Sequence, residues 1–249
     1  MKSNTNNIWF SFTASAPYEG TEPPYFEISQ YNWYDLIKKN TAIFKKEITT
    51  QKEDFFIPYT NSTFANEPQK WKFIPLRVWA KKYKSNIAKF PLTEKVLEKI
   101  PYLVSAAYSQ LDNSSKIKHH TGDSNVMYRV HIPLVIPTGL PDCGFEVLGI
   151  QKEWVEGEPF GFCDAHQHYA WNNTNEKRIV LILDIIRPEF ESKSKWICAQ
   201  VQASLMLQFT FQKTKIIHKI PQFLRSFIMN FGGIIIYPVV LLFGDLKTR

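Results

Sequence analysis

The chain has 249 residues, of which 44% are hydrophobic and 15% are aromatic. This composition provides a substantial core for one large domain or two small ones, and it excludes a chain that is disordered throughout. The formal net charge of +7 favours anionic partners such as anionic lipids or acidic small molecules. Because no run of Lys and Arg with interleaved aromatic residues is present, we predict no nucleic-acid partner.

The three cysteines, Cys143, Cys163 and Cys198, form an odd set without Cys-x-x-Cys spacing. This pattern argues against a disulfide framework and a zinc ribbon, and it predicts reduced thiols in a cytoplasmic protein. Residues 1–15 lack a basic segment followed by an apolar run, so no secretory signal is predicted. Residues 1–30 are polar and interrupted by proline, which predicts mostly irregular structure.

The front of the chain contains two segments with helical patterns. Apolar residues recur at intervals of three and four from Tyr31 to Thr49, with Ser29 placed to cap the helix. A second, short helix is predicted over 93–100, with Thr93 as its cap and Pro101 as its end. Between them, residues 73–80 (FIPLRVWA) are rich in strand-forming side chains.

After Pro101 the pattern changes to short apolar runs separated by turn residues. The predicted strands cover 102–111, 126–136, 144–150 and 178–186. Their spacing is typical of a sandwich or barrel of the jelly-roll type, and they do not alternate with helices as a doubly wound sheet requires. We therefore predict one mainly β domain over residues 1–195, with its β core at about 100–190 and with flanking helices on the N-terminal side.

The tail, residues 196–249, is basic and then apolar. Its segment 227–243 carries no charge, but its 17 residues fall short of the roughly 20 that span a bilayer. Gly232, Gly233 and Pro238 would also weaken a straight helix. Two interpretations stay open: an interfacial or re-entrant membrane contact through 213–243, or an element buried against the domain. The basic residues that precede the apolar run are Lys213, Lys215, Lys219 and Arg225.

Two histidines precede or open strands of the β core. His120 lies in a glycine-containing turn before a long strand, and His168 lies just before another strand. Neutral imidazole suits Fe(II), and a non-haem iron site usually adds a carboxylate in a His-x-Asp/Glu motif. Here Gly122 takes the place of that acid, and the nearest carboxylates are Asp123 and Asp164. The sequence therefore predicts a two-histidine metal site, with water at the third protein position.

Two arginines and a third histidine point to an anionic ligand. Arg129 and His131 share one face of an extended strand, where burial is costly unless an anion is present; a solvated outer face is the alternative. Arg178 opens an apolar strand and can bind a carboxylate through two parallel hydrogen bonds. The alternative for Arg178 is a strand-end charge that reaches water.

At these residues the sequence resembles the aspartyl/asparaginyl β-hydroxylase family. The matching features are an HTG motif, R-x-H, the run W-x-x-G-x-x-x-x-F-x-D-x-x-x-H-x-x-W, and a strand ending in D-x-x-x-P. They lie in segments 109–125, 128–137, 153–172 and 178–190. The resemblance implies an Fe(II)- and 2-oxoglutarate-dependent dioxygenase with a double-stranded β-helix core, cupin-like in shape, that releases succinate and CO₂.

The resemblance also implies a role for each matching residue. His120 and His168 match the two iron ligands of a family that lacks the carboxylate ligand. Arg178 matches the arginine that binds the far carboxylate of 2-oxoglutarate, assisted by Ser109. Arg129 and His131 match the residues that contact the carboxylate nearer the metal. Asp164 matches a family acid near the metal, and we expect it to hydrogen-bond the metal-bound water. His119 and Asp123 stand where the family often has proline, so either could add a ligand or alter the turn.

The substrate stays open at this point. The family implies hydroxylation of an aspartyl or asparaginyl residue in a protein or peptide, of a related amino acid, or of the acyl chain of a membrane lipid such as lipid A. The basic apolar tail favours the lipid weakly. Two other classes are a non-catalytic cupin-like binding protein and a cupin-shaped hydrolase or isomerase with zinc or manganese, although such metal sites generally use three or more protein ligands.

Overall fold

In the computed structural model, the described residues are 7–52, 55–59, 67–211 and 220–248. They form two antiparallel β-sheets, short helices in the first hundred residues and two long helices at the C-terminal end. The predicted basic residues Lys213, Lys215 and Lys219 lie outside the described residues. The helices are α1 (Asn32–Lys39), α2 (Thr41–Thr49), α3 (Lys84–Ile87), α4 (Pro91–Leu97), α5 (Ser194–Phe211) and α6 (Gln222–Phe243).

The larger sheet contains five strands in the body of the β domain and short strands at its edges. Its strands are β1 (Tyr25–Phe26), β2 (Ile57–Pro58), β3 (Trp71–Val78), β4 (Lys81–Lys82), β5 (Leu103–Leu111), β7 (Met127–Val135), β10 (Phe160–Cys163) and β12 (Arg178–Ile186). Their order is β1-β10-β7-β12-β5-β3-β2, and β4 pairs with β3. The central position of β12 explains why its sequence is almost continuously apolar.

The smaller sheet has the order β6-β11-β8-β9. Its strands are β6 (Ser115–His120), β8 (Cys143–Val147), β9 (Ile150–Glu153) and β11 (His168–Asn172). The predicted strands are confirmed in β3, β5, β7, β8 and β12. The two-residue strands β1, β2 and β4 were not predicted, and neither were β6, β9, β10 and β11. These four are short and polar or glycine-containing, so their apolar periodicity is weak.

The two faces of the larger sheet bury different kinds of side chain. Along β12 the odd-numbered residues from Ile179 to Ile185 form an apolar core with α1, α2 and α4. The even-numbered residues from Arg178 to Asp184 point the other way, because successive strand residues alternate between faces. Val180 from this inner face packs with Phe145 and other residues of the smaller sheet. Two antiparallel sheets packed face to face confirm the predicted mainly β, jelly-roll fold class.

The helical front differs from the prediction at its caps. The helix predicted from Tyr31 to Thr49 is two helices, because the Asn40 amide donates to the Leu36 carbonyl oxygen at 2.7 Å and interrupts the run. Ser29 is not the cap; its hydroxyl donates to Glu27 Oε1 at 2.6 Å, and Tyr31 occupies the cap position.

The cap predicted for the second helix is also wrong. Pro91 begins α4, as its fixed φ angle and missing N–H allow in a first helical turn. Thr93 lies inside the helix, and its hydroxyl bonds the buried Tyr108 hydroxyl at 2.7 Å. A tertiary partner therefore decides the orientation of this threonine.

The C-terminal helices form an antiparallel pair, in which Gly232 of α6 lies beside Ala203 of α5 and Tyr237 contacts Trp196 near the start of α5. Gly232, Gly233 and Pro238 were expected to weaken a straight helix, yet α6 is continuous through all three. A Cβ added at Gly232 would lie 2.9 Å from Ala203 Cβ of α5, so glycine permits the close approach of the helices. Helix packing thus outweighs low helix propensity here. The predicted domain boundary at residue 195 stays a prediction.

Candidate active site

The inner face of the larger sheet carries the predicted anion-binding residues. The register pairs Asp184 of β12 with Arg129 of β7, and Ile182 with His131. Paired residues on antiparallel strands point the same way, so Arg129 and His131 lie on the same inner face as Arg178. His131 is 6% exposed, which excludes the alternative of a solvated outer face. Ser109 pairs with Val180 and so lies on this face too.

His120 and His168 meet across the smaller sheet. His120 ends β6 and pairs directly with His168, which begins β11, and their ring centroids are 4.2 Å apart. His120 therefore ends a strand and does not lie in a turn. In each ring, Nδ1 lies 2.8 Å from a main-chain oxygen, that of Lys118 for His120 and that of His166 for His168. A carbonyl oxygen only accepts, so both Nδ1 atoms donate and Nε2 is the atom for a metal.

The environment favours the neutral form of the three site histidines. Burial lowers the pKa of His120 to about 4, and the Arg129 charge adds to this effect. Burial also lowers the pKa values of His131 and His168 well below the ordinary value. Neutral imidazole is the form that binds a metal ion, so the electrostatics agree with the predicted metal site.

A network of buried charges lies beside His168. Arg129 Nη1 donates to Asp164 Oδ1 at 2.5 Å, and His168 Nε2 is 3.6 Å from the same oxygen. Asp184 accepts from the other edge of the guanidinium, with Nε–Oδ1 at 2.7 Å and Nη2–Oδ2 at 2.9 Å. Arg129 therefore holds Asp164 next to His168 and is itself fixed by Asp184.

The charges in this network offset the cost of burying them. Burial lowers the pKa of the Arg129 guanidinium, but the charges of Asp164 and Asp184 outweigh it, and the net pKa is raised. Burial raises the pKa of the Asp164 carboxyl, and the Arg129 guanidinium opposes that rise. The geometry of two acids around one arginine keeps the guanidinium charged at any ordinary pH.

Gly122 explains how a carboxylate approaches the site without the usual His-x-Asp motif. A Cβ added at Gly122 would collide with the Asp164 carboxylate, and the Gly122 N–H donates to the Asp164 carbonyl oxygen at 2.7 Å. The Asp164 side chain thus occupies the space that a side chain at position 122 would fill. The chain supplies this carboxylate from the segment after β10.

Arg178 is 2% exposed, which excludes the alternative that it reaches water at the strand end. Burial lowers the pKa of its guanidinium to about 10, and among the described residues only Cys143, not a carboxylate, opposes this effect. The guanidinium carbon lies 4.8 Å from the Trp154 ring centroid, and Nε has no hydrogen-bond partner among the described residues. A buried arginine without a counter-ion is costly, and a carboxylate ligand would satisfy it.

Four of the nine buried polar atoms that lack a partner among the described residues lie in this same layer. Among the described residues, the buried atoms Asp164 Oδ2, His131 Nδ1, Arg178 Nε and Trp154 Nε1 make no hydrogen bond. Buried polar groups in proteins are nearly always hydrogen-bonded, so four unpaired polar atoms in one layer indicate a ligand-binding site. An Fe(II) ion near the two histidines and a dicarboxylate reaching Arg178 would fit this set of donors and acceptors.

Aromatic rings line the space between the sheets. The His131 ring stacks on Trp154 at 5.5 Å and lies 5.0 Å from the rings of Phe145 and Phe162. Near His120, Trp71 is 6.3 Å away, and its Nε1 donates to Ser109 Oγ at 3.1 Å. The rings would exclude water from a bound ligand, and the predicted role of Ser109 stays a prediction.

Two other predicted ligands lie apart from the histidine pair. His119 points to the opposite face of β6, where its ring packs 4.1 Å from Tyr169. Asp123 accepts from Trp79 Nε1 at 3.3 Å, and burial raises the pKa of its carboxyl. Both residues therefore contribute to packing, and the geometry favours neither as an iron ligand.

Sequence reasoning missed Asp184, Trp154 and a group formed by Glu22, Cys163 and His166. The D-x-x-x-P motif contained Asp184, but only the register shows its ion pair with Arg129. The ligand atoms of the missed group lie within 4.8 Å of one another. However, both Glu22 oxygens accept hydrogen bonds, from Tyr18 and from Arg187, and burial raises the pKa of Cys163 to about 12. This group therefore connects the N-terminal segment to the β core through hydrogen bonds and packing.

Comparison with known proteins agrees with the site. The model of the family described as aspartyl/asparaginyl beta-hydroxylase matches residues 36–188, more than half of the chain. The chain belongs to this family. The match covers every predicted site residue, from Ser109 to Arg178, and confirms the predicted family and the hydroxylase class.

Two relatives found by sequence have names that specify different substrates. An ornithine lipid ester-linked acyl 2-hydroxylase from Rhizobium tropici is 28% identical over 172 residues, which are 67% of this chain and 61% of that protein. The human aspartyl/asparaginyl beta-hydroxylase is 29% identical over 110 residues, which are 42% of this chain and 14% of that protein. The chain thus spans about three fifths of the first relative and one seventh of the second.

Solved structures show a more distant likeness. A Pseudomonas putida prolyl-4-hydroxylase aligns with 64% of this chain and 91% of its own, at a TM-score of 0.40 and 13% identity. A collagen prolyl hydroxylase from Paramecium bursaria Chlorella virus-1, in complex with 2-oxoglutarate, aligns with 67% of this chain and 98% of its own, at a TM-score of 0.40 and 9% identity. At these values the likeness concerns the fold alone.

Proposed function

We propose that this chain is an Fe(II)- and 2-oxoglutarate-dependent hydroxylase in which His120 and His168 hold the iron. The observation that carries the proposal is the pair of neutral imidazoles, 4.2 Å apart, whose Nδ1 atoms both donate to main-chain oxygens. Fixed tautomers and ring orientations are what a metal ligand requires. Asp164, held beside His168 by Arg129, would accept a hydrogen bond from a water on the metal through its orphan Oδ2.

The co-substrate would lie between the histidines and Arg178. We assign the far carboxylate of 2-oxoglutarate to Arg178, with Ser109 on the same face, and the carboxylate nearer the metal to Arg129 and His131. Arg129 gives one N–H from each of Nε, Nη1 and Nη2 to the two acids, so one N–H on each Nη remains for a ligand. When bound, Fe(II) and 2-oxoglutarate supply the oxidative chemistry, with succinate and CO₂ as products.

For the substrate we propose the acyl chain of a membrane lipid. The relative whose alignment covers 67% of this chain is named as a lipid acyl hydroxylase. Helix α6 is long and apolar enough to cross a membrane by length and composition, yet only 17% of its most apolar stretch of 18 residues is buried. The enzyme would then act at a membrane surface in the cytoplasm. An aspartyl or asparaginyl residue in a protein or peptide is the second candidate, as the name of the human relative suggests.

Turnover with defined substrates tests the proposal. Purified protein with Fe(II), 2-oxoglutarate and O₂ should form succinate when a lipid with an ester-linked acyl chain is supplied, and the lipid should gain one oxygen atom by mass spectrometry. His120→Ala should abolish both signals, while His119→Ala, a neighbouring histidine on the opposite face, should retain them. Oxygen incorporation into an aspartyl peptide alone would select the second candidate, and no succinate from either substrate would contradict the hydroxylase proposal.

A further inference from the structure

Helix α6 has two faces of opposite environment along its whole length. Met229, Gly233 and Val240 are buried on one side against α5 and the β domain. Large apolar side chains cover the other side and are between 38% and 80% exposed. They are Phe223, Leu224, Phe227, Phe231, Ile234, Ile235, Val239, Leu241, Leu242 and Phe243. A 22-residue helix is about 33 Å long, so this apolar face is far larger than the scattered exposed apolar residues of an ordinary monomer.

Both ends of α6 are fixed to the rest of the protein. In its first turn, Arg225 donates to the main-chain oxygens of Phe12 at 2.9 Å and Ala14 at 3.2 Å. Just after its last turn, the Asp245 N–H donates to the Ala80 oxygen at 2.9 Å, and Leu246 is buried. A helix held at both ends against the same body lies alongside that body, so it cannot cross a bilayer without breaking these contacts.

Charge and chemistry favour a lipid bilayer as the partner of this face. Residues 226–243 contain no charged side chain, whereas protein interfaces are surrounded by a polar rim. The net charge of the chain is +7, and the exposed Lys81 and Lys247 lie near the C-terminal end of α6 through the Ala80–Asp245 contact. An apolar helical face with exposed lysines near one end is a feature of proteins bound to an anionic membrane surface.

We infer that the outer face of α6 lies in the plane of an anionic bilayer, with the oxygenase domain on one side of the membrane and no span across it. Hydrogen bonds also connect the site to the helix pair. Asp123, three residues after His120, bonds Trp79 at 3.3 Å, and the Trp79 carbonyl oxygen accepts from Gln202 of α5 at 2.6 Å. The inference deepens the lipid substrate proposed above, but membrane binding itself needs neither iron nor turnover.

Flotation of the protein with lipid vesicles tests whether the exposed face of α6 binds a membrane. Full-length metal-free protein should float with vesicles that contain phosphatidylglycerol, and less with phosphatidylcholine alone. The double variant Phe227→Glu/Phe231→Glu should lose binding by about tenfold or more. The matched control Leu148→Glu/Ile150→Glu, which alters two residues about half exposed in the β8–β9 turn, should bind as wild type. Unchanged flotation of the first variant, or no flotation of wild type, would overturn the inference.

Thiol labelling distinguishes a helix α6 that lies in the plane of the bilayer from one that crosses it. The cysteines Cys143, Cys163 and Cys198 are buried, so Thr248→Cys provides one exposed thiol beyond α6. On protein bound to the outside of sealed vesicles, a membrane-impermeant maleimide should react with this thiol before detergent is added. Protection until detergent is added would show a spanning helix and contradict the inference. A wild-type dimer that the Phe227/Phe231 variant dissociates, without vesicle binding, would show that a second copy covers the face instead.

Discussion

Two regions of this protein depart from the usual distribution of side chains in opposite ways. Between the sheets, buried polar atoms of Asp164, His131 and Arg178 have no hydrogen-bond partner among the described residues. Along α6, large apolar side chains such as Phe231 and Leu242 are exposed. Each departure is costly in isolation. Together they support the polar ligand proposed for the interior and the apolar partner proposed for α6.

The strongest test of the inner region is Arg178→Ala. Each charge-assisted hydrogen bond to a carboxylate contributes about 1.5–3 kcal/mol, so losing two should weaken 2-oxoglutarate binding by about a hundredfold or more. Arg178→Lys keeps the charge and loses the paired geometry, so an intermediate affinity is expected. Titration calorimetry of the iron-loaded protein measures both. Wild-type affinity in the alanine variant would remove Arg178 from the co-substrate site.

Asp184→Asn should affect the same region indirectly, as a positioning residue. Without its charge, Arg129 keeps only Asp164 as an ionic partner, and Asp164 is less firmly held beside His168. Changes to groups that position metal ligands typically reduce metal affinity or activity by about 10–100-fold. Iron affinity measured by competition with a chelator, with folding checked by circular dichroism, would test this. An unchanged affinity and an unchanged rate would show that Asp184 has a purely structural role.

The inner region should also make the metal-free protein sensitive to acid. The pKa values of His131 and His168 are lowered in the folded state, so the unfolded state binds more protons below about pH 6.5. Each histidine should therefore contribute a loss of stability of about 1.4 kcal/mol per pH unit below that pH, and Asp164, whose carboxyl pKa is raised in the folded state, should offset part of this loss. Urea unfolding at pH 7 and pH 5 measures the difference. His131→Asn should reduce the slope, and equal stability at both pH values would contradict the argument.

Substitutions on the exposed face of α6 should change the stability of the protein very little. Phe231→Ser on the exposed face of α6 should change the free energy of unfolding in water by less than about 0.5 kcal/mol, because it removes no buried contact. Val240→Ala on the buried face of the same helix should cost clearly more, since it leaves a cavity against α5 or the β domain. Chemical denaturation of both variants provides the comparison. Equal losses would show that the outer face packs against the protein in solution.

Much of the inner region could be predicted from the sequence, because motif residues carry their own chemistry. His120, His168, Arg129, His131 and Arg178 were all expected to line one site, and they lie on facing sheets. The register that pairs Arg129 with Asp184 could not be predicted, since a single sequence does not specify which strands become neighbours. For the same reason, the collision of Gly122 with the Asp164 carboxylate is visible only in three dimensions.

The outer region was predicted less well. The sequence correctly identified an apolar tail, but it predicted an uncharged run of 17 residues weakened by glycine and proline where the fold has a continuous helix from Gln222 to Phe243. Gly232 was taken as a weak point, whereas it permits α5 and α6 to approach. The cap predicted at Thr93 failed because its hydroxyl bonds the tertiary partner Tyr108, whereas the cap predicted at Ser29 failed because its hydroxyl bonds the neighbouring Glu27.

The most direct test of the central claim is anaerobic absorption spectroscopy of the purified protein with Fe(II) and then 2-oxoglutarate. A chelated complex held by His120 and His168 should give a weak visible charge-transfer band in wild type. The band should disappear in His168→Ala and persist in His119→Ala. Iron bound without any band after 2-oxoglutarate is added would contradict the co-substrate site and favour a cupin-like binding protein. Failure of wild type to bind iron at all would contradict the metal site itself.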